Sequence, residues 1–161
     1  ILRQPRSWSE ADLMSASFGQ SVSVTALQMA QGYLTLLNNG VYKPLRLLRE
    51  QVNVEQRYER IFSERVCREV MGMMRDVVEE KDGTGKRARI EGVEVAGKTG
   101  TAQTGQFRDG VELKNNWFAG VFPAEKPQYT IVVLQDAQTV PAHSSAAIFA
   151  ALAEMLENFG A

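Results

Sequence analysis

Hydrophobic residues recur with two different periods along the chain, and the change of period separates its two halves. In two segments of the first half, apolar side chains return every three or four positions, which is the spacing of an amphipathic helix. From about residue 93 the spacing falls to two, as in strands with one buried face. The alanine-rich end of the chain returns to helical spacing. This order of helices, strands and a final helix predicts an α+β fold rather than alternating α/β units.

Capping residues and apolar stripes predict three helices. Thr25 and Gln28 form a T-x-x-Q capping box before the first helix, and Gly40 ends it. Ser63 caps the second helix, and the third runs from residue 144 or 145 to residue 159. The expected apolar stripes are Leu27, Ala30, Leu34 and Leu37 in the first helix, Val66, Val70, Met73, Met74, Val77 and Val78 in the second, and Ile148, Leu152, Met155 and Leu156 in the third.

Three strands are predicted between the second and third helices, at 93–100, 115–122 and 129–135. A long polar connection over 101–114 joins the first two strands. The last two are joined by six residues, which are too few for a parallel crossover and favour an antiparallel hairpin. Residues 41–62, between the first two helices, predict short strands with polar turns.

The composition is that of one folded domain. The 161 residues are 44% hydrophobic and 23% charged, which argues against intrinsic disorder. The net charge is −1, so no nucleic-acid partner is expected, and the short basic run at 86–89 is interpreted as a solvated loop. No apolar stretch approaches the ~20 residues that span a bilayer.

The single cysteine and the single histidine limit metal chemistry. Cys67 lies beside Val66 and Val70 on the second predicted helix, so we expect a buried structural thiol. One cysteine and His143 cannot assemble a Cys/His zinc site. The sequence therefore predicts neither a metal ion nor a cofactor.

Residues 92–101, GVEVAGKTGT, admit two interpretations. Gly92, Gly97, Lys98 and Thr99 match the G-x-x-x-x-G-K-[ST] pattern of phosphate loops. Such a loop requires a helix directly after the lysine, because the helix N-terminus holds the phosphates. Here apolar and polar residues alternate before Lys98, and glycines and threonines follow it, which favours a strand. A P-loop nucleotide-binding protein is therefore only a remote alternative.

The second interpretation is a strand-borne K-T-G box for acyl transfer. Gly100 would let a ligand backbone approach the strand, while Thr99 and Thr101 offer hydroxyls to a carboxylate and Lys98 adds positive charge. If the strand is an edge, its backbone can pair with an extended peptide, and one N–H can face a developing oxyanion. K-T-G accompanies S-x-x-K and S-D-N in penicillin-binding proteins and class A β-lactamases.

The flanks of this box carry a more specific resemblance. VAGKTGTAQ, NNWFAGVFPAEKPQYTIVVLQD and SFGQSVSVTALQMAQGYLTLLNNGVYKP are similar to the third box, the following strands and the long helix of class B penicillin-binding proteins. The resemblance runs from about residue 15 to the last residue. One departure is Ser21, where the family usually carries glycine. The SFGQ segment favours the septal, cell-division type over the elongation type.

The resemblance implies a peptidoglycan D,D-transpeptidase that cross-links stem peptides through a covalent serine ester and binds β-lactams. It implies that Lys98 and the Thr101 N–H, as half of an oxyanion hole, take part in catalysis. The substrate-binding residues that it implies are Thr99, Gly100, Thr101, Ala102 and Gln103. It implies no cofactor and no metal.

The chain contains no S-x-x-K and no S-x-N motif. We therefore expect residues 1–161 to be a C-terminal fragment of one transpeptidase domain, with a helical part at about 15–82 and a sheet and helix at about 90–160. The fragment alone should be inactive. The parent is expected to be anchored in the bacterial inner membrane, with this domain in the periplasm.

The expected partners are stem peptides, β-lactams, the missing N-terminal part of the domain, and cell-wall synthesis or division proteins. Without the upstream strands, the apolar edge at 129–135 would favour dimerisation or strand exchange. A non-enzymatic β-lactam sensor or interaction module of the same fold is the alternative function.

Overall fold

The computed structural model describes residues 5–20, 22–48 and 58–160. Its helices are α1 (Glu10–Ser17), α2 (Ala26–Leu37), α3 (Glu64–Glu79) and α4 (Ser145–Gly160). Its strands are β1 (Val41–Tyr42), β2 (Glu59–Arg60), β3 (Ala96–Arg108), β4 (Val111–Phe122) and β5 (Tyr129–Gln138). Short 3-10 turns occupy Pro5–Ser7 and Lys86–Ala88. The α+β class is confirmed.

The predicted helix starts are confirmed by their capping contacts. Gln28 N donates to Thr25 Oγ1 at 3.2 Å, and Thr25 N donates to Gln28 Oε1 at 2.9 Å. After α2, Gly40 has a φ of 84° and donates its N–H to the Thr35 carbonyl at 2.9 Å. Ser63 Oγ accepts from Val66 N at 3.3 Å at the start of α3. These contacts satisfy backbone groups that the helix ends leave without intrahelical partners.

The first helix, α1, was not predicted from the hydrophobic pattern. It carries no buried residue, so no apolar stripe marks it. Its sequence signal is the S-x-x-D capping box, in which Asp12 N donates to Ser9 Oγ at 3.2 Å and Ser9 N donates to Asp12 Oδ2 at 3.0 Å. Among the described residues of 41–62, short strands are confirmed by the pairing of β1 with β2, while 49–57 and Ser21 lie outside the described residues.

The three long strands form an antiparallel sheet in the order β3-β4-β5. The predicted long connection over 101–114 is wrong, because β3 extends to Arg108 and β4 begins at Val111. The connection is the two-residue turn Asp109-Gly110, with φ of 52° and 78°. This is the Asp-Gly hairpin turn, whose positive φ angles match the twist of the flanking strands. A shift of register between Gln103 and Phe107 interrupts the pairing.

Helices cover both faces of the sheet. Phe118 and Phe122 of β4 pack against Phe149 of α4, with ring centroids 4.9 and 5.9 Å apart. On the opposite face, Ala96 and Val121 pack with residues of α2 and α3. Because successive strand residues point to alternate faces, the even positions of β4 face α4 and the odd ones face α2 and α3.

Several predicted stripe residues are exposed instead. Leu27, Met73, Leu152, Met155 and Leu156 are exposed, so the predicted buried faces of α2, α3 and α4 are wrong at these positions. The buried apolar residues of α4 are Ala146, Phe149, Ala150 and Ala153. An alanine face allows a helix to approach a sheet closely, and one large ring then fills the gap between strand rings. The predicted burial of Cys67 is confirmed at 2% exposure.

Candidate active site

The K-T-G-T segment lies at the start of β3, on an edge of the described sheet. β4 pairs with one side of Lys98–Thr101, and no other strand of the described sheet pairs with the opposite side. The outer N–H and C=O groups of an edge strand are available to a further extended chain. The phosphate-loop interpretation is wrong, because Lys98 and Thr99 belong to a strand that continues to Arg108.

The register with β4 divides the side chains of this segment between the two faces. Thr99 is paired with Phe118 and Thr101 with Asn116, so both hydroxyls point to the α4 face. Lys98 is paired with Ala119 and therefore points to the face of α2 and α3. The hydroxyls and the ammonium group thus serve opposite sides of one strand.

A cleft of about 270 Å³ opens on the α4 side of this edge. Its floor is formed by Thr99, Gly100 and Thr101 of β3 with Asn116 and Trp117 of β4. The walls come from the segment before β3 (Thr84 and Arg87), from Pro141, and from the N-terminal residues of α4 with the serine before it (Ser144, Ser145 and Ala146). Within the part of the chain that the structure describes, this lining includes one cationic residue and no aspartate or glutamate.

Hydrogen bonds connect the residues that line the cleft to one another and to β5. Thr84 Oγ1 and Thr99 Oγ1 are 3.1 Å apart, and Thr101 Oγ1 donates to Asn116 Oδ1 at 3.4 Å. Ser145 Oγ, which belongs to a residue only 4% exposed, lies 2.9 Å from the Asn116 carbonyl oxygen and 2.8 Å from Gln135 Oε1. The N-terminus of α4 is thereby fixed against β4 and β5.

Three of the residues implied by the resemblance lie outside the lining of this cleft. Lys98 is exposed, and its Nζ donates to the Thr99 carbonyl at 2.8 Å. Ala102 is half-buried, and Gln103 Nε2 donates to Glu112 Oε2 of the partner strand at 2.7 Å. The structure therefore brings together Thr99, Gly100 and Thr101, and it leaves Lys98, Ala102 and Gln103 outside the cleft.

Packing within the described part of the chain does not require a glycine at position 100. A Cβ built on Gly100 meets only Trp117 Cβ, at an ordinary contact distance of 3.5 Å. The φ of Gly100 also lies outside the left-handed region. The bare backbone leaves room in front of the strand, which suits the close approach of another chain.

Thr84, Arg87, Asn116 and Ser145 join the cleft without having been predicted as site residues. The available signal was the basic run at 86–89. Its three cationic residues are exposed, as the interpretation as a solvated loop expects, but the turn that carries them is anchored. Ala88 is fully buried in the core, and Arg89 donates to the Val78 carbonyl at 2.8 Å. The run is therefore an anchored turn between α3 and β3.

Within the ranges that the structure describes, no group of three or more His, Cys, Asp or Glu side chains could hold a metal ion. None of the described helices combines the length and the apolar character that crossing a bilayer requires.

A family model for the penicillin-binding protein transpeptidase domain matches residues 3–154. Penicillin-binding protein PbpB of Mycolicibacterium smegmatis is 36% identical, over 92% of this chain and 26% of its own length. Peptidoglycan D,D-transpeptidase FtsI of Escherichia coli K12 is 36% identical, over 81% of this chain and 22% of its own length. The chain thus spans about a quarter of the length of these relatives.

Solved structures are similar as well. The apo transpeptidase domain of penicillin-binding protein 3 from Burkholderia pseudomallei superimposes with a TM-score of 0.83 at 26% identity. That alignment covers 99% of this chain and 50% of the solved chain.

Proposed function

Since the chain belongs to the penicillin-binding protein transpeptidase family, we propose that it forms the C-terminal part of the transpeptidase domain of a peptidoglycan D,D-transpeptidase. The observation that carries this proposal is the outer edge of β3, with which no described strand pairs, together with Thr99, Gly100 and Thr101 on the floor of a polar cleft. An extended peptide and its terminal carboxylate would meet a backbone edge and two hydroxyls there.

In the proposed complex, a D-Ala-D-Ala stem peptide lies antiparallel to residues 97–103 and adds a strand to the sheet. Thr99 and Thr101 donate to its terminal carboxylate, and Gly100 keeps the approach open. The Thr101 N–H forms half of an oxyanion hole. Ala102 and Gln103 extend the contact along the strand.

The reaction is acyl transfer through a serine ester. The serine oxygen, which comes from outside residues 1–161, bonds to the penultimate D-alanine carbonyl, and the terminal D-alanine leaves with a proton on its amine. An acceptor amine then bonds to the same carbonyl and releases the serine. Lys98, on the opposite face from the two threonines, tunes the proton transfers of the nucleophile.

This proposal includes a membrane-anchored parent with the domain in the periplasm, and the cell-division type is favoured by the similarity to FtsI. The upstream part of the same domain covers the outer edge of β5 at residues 129–135. In its absence, that edge would support dimerisation or strand exchange.

The proposal is tested by incubating the intact protein that contains this chain with a labelled penicillin. We expect a covalent adduct on the intact protein, none on residues 1–161 alone, and slower acylation of Thr99→Val, which replaces the hydroxyl with a methyl group. A stem-peptide cross-linking assay separates an enzyme from a β-lactam sensor of the same fold. An intact protein that resists acylation, or an adduct on the isolated chain, would contradict the proposal.

A further inference from the structure

The basic run Lys86-Arg87-Ala88-Arg89 divides its three cations between different tasks. Lys86 Nζ donates to the Lys81 carbonyl at 2.7 Å. Arg89 donates to the Val78 carbonyl at 2.8 Å and to the Glu80 carbonyl at 3.0 Å, at the end of α3. Arg87 has no salt bridge or hydrogen bond within the described part of the chain, and it lines the cleft.

The backbone that carries Arg87 is held on both sides. Gly85 N donates to the Val77 carbonyl at 2.8 Å, and Ala88 N donates to the Gly85 carbonyl at 2.8 Å. Ala88 is fully buried in the same core cluster as Phe118 and Phe149. Because the turn is fixed, an arginine on it can bind a ligand with little loss of backbone entropy.

The residues that line the cleft together with Arg87 suit a carboxylate. The Thr84–Thr99 contact of 3.1 Å ties the turn to β3, so that Arg87 and the two β3 threonines line one cleft. Among the described residues, no aspartate or glutamate lines the cleft to neutralise Arg87. A guanidinium offers two parallel N–H donors to a carboxylate, and the threonine hydroxyls can donate to its remaining lone pairs.

We propose that Arg87 binds the terminal carboxylate of the donor peptide, together with Thr99 and Thr101. The carboxylate of a β-lactam occupies the same position. This inference rests on the proposed transpeptidase function and adds a substrate-binding residue to it. Arg87 touches the substrate at its anionic end, several bonds from the reacting carbonyl, and so selects anionic donors over neutral ones.

The test compares acylation of the intact protein by a penicillin that carries its free carboxylate and by the methyl ester of the same penicillin. In Arg87→Ala, we expect acylation by the free acid to slow about tenfold, the size of a lost charge-assisted hydrogen bond, and acylation by the ester to stay unchanged. Arg87→Lys keeps the charge but loses the two parallel N–H donors of the guanidinium. Its rate of acylation by the free acid should therefore lie between those of the wild type and Arg87→Ala.

Lys86→Ala is the matched control, since it removes the same charge from the adjacent residue, whose side chain is bound to the Lys81 carbonyl. It should leave both rates and their ratio unchanged. Equal slowing of acid and ester by Arg87→Ala would mean that the residue acts through the fold, and no slowing would mean that it does not bind the carboxylate. Either result overturns the inference, whereas a wild-type protein that neither compound acylates refutes the proposed function itself.

Discussion

Gly97 lies so close to Phe118 that a Cβ built on the glycine would be 2.4 Å from Cζ of the ring. The ring cannot move aside easily, because Phe118 is fully buried and packs edge-on against Phe149 at 4.9 Å. The same Cβ would lie 3.1 Å from the Ala119 carbonyl oxygen. The position of the Phe118 ring over β3, next to the K-T-G-T segment, therefore depends on this missing side chain.

Gly97→Ala is expected to lower the free energy of unfolding by about 1–3 kcal/mol, because it overpacks a filled core. Urea denaturation measures this change. Gly100→Ala is the control three residues along the same strand, where the new methyl group meets one atom at 3.5 Å, and its stability should stay close to wild type. Equal losses in the two variants would contradict the packing argument.

Arg89→Met is expected to lower the free energy of unfolding by about 1–2 kcal/mol, because the carbonyls at the end of α3 lose a charged donor. Arg65→Met, also an arginine substitution on or next to α3, breaks an ion pair with Glu69 whose side chains are 72% and 51% exposed. That change should stay within about 0.5 kcal/mol. The measurement is chemical denaturation of both variants, and a larger effect at Arg65 would refute the ranking.

Burial raises the pKa of Tyr33 from 10.0 to about 12. The folded state then holds the phenol proton more tightly than the unfolded chain, so stability is fully present below pH 10 and is lost as the pH rises toward about 12. The loss should reach about 2–3 kcal/mol at the upper end. The free energy of unfolding of Tyr33→Phe, measured across this range, should lack that component. Parallel pH profiles of the two proteins would be the contrary outcome.

Gly110→Ala and Gly32→Ala should change stability in opposite directions. Gly110 has a φ of 78°, where a Cβ is strained, so we expect a loss of about 1 kcal/mol. Gly32 lies exposed inside α2 with no atom within 4 Å of a built Cβ, so alanine should add about 0.5–1 kcal/mol. Thermal melting of both variants checks the signs, and a stabilising change at Gly110 would exclude the left-handed turn.

Leu134→Lys should reduce self-association of residues 1–161. Leu134 lies on β5, the second edge of the described sheet, and is 37% exposed. A lysine on an edge strand disfavours pairing with another edge. Light scattering over a range of concentrations measures the effect, with Lys114→Ala on the central strand β4 as a control. A wild-type chain that stays monomeric at high concentration would count against association through β5.

Local sequence patterns predicted the helix starts at Ser63 and Thr25 because a cap is decided within four residues. They could not predict which face of α4 is buried, since alanines and large apolar residues both recur at helical spacing there. The alanine face of α4 packs against the sheet because Phe149, on the same face, already fills the space between Phe118 and Phe122. The Asp-Gly pair at 109–110 is a hairpin signal that could have been used. The strand before it was missed because β3 is exposed along much of its length and its residues there are polar.

The residues of the candidate site also fall into two groups: a local motif reveals some of them, and only the fold brings in the others. Thr99, Gly100 and Thr101 are adjacent in sequence, so a motif reveals them together. Arg87 reaches the cleft only because the turn after α3 folds back beside β3, and that placement depends on contacts with Val77 and the core. A run of basic residues does not show, in the sequence alone, which of its side chains bind other groups of the folded chain.

The complete burial of Ala88 also determines how the turn between α3 and β3 tolerates changes of length. The residue before it is directed to the cleft and the residue after it to the end of α3. Insertion or deletion of one residue in this turn would shift Arg87 and Arg89 by one position relative to Ala88. The end of α3 would then lose its donor, and the cleft would lose its cation. At the hairpin tip, by contrast, Asp109-Gly110 and the residues on either side of it, Arg108 and Val111, are exposed. Insertions during evolution should therefore accumulate at this tip and be selected against between α3 and β3.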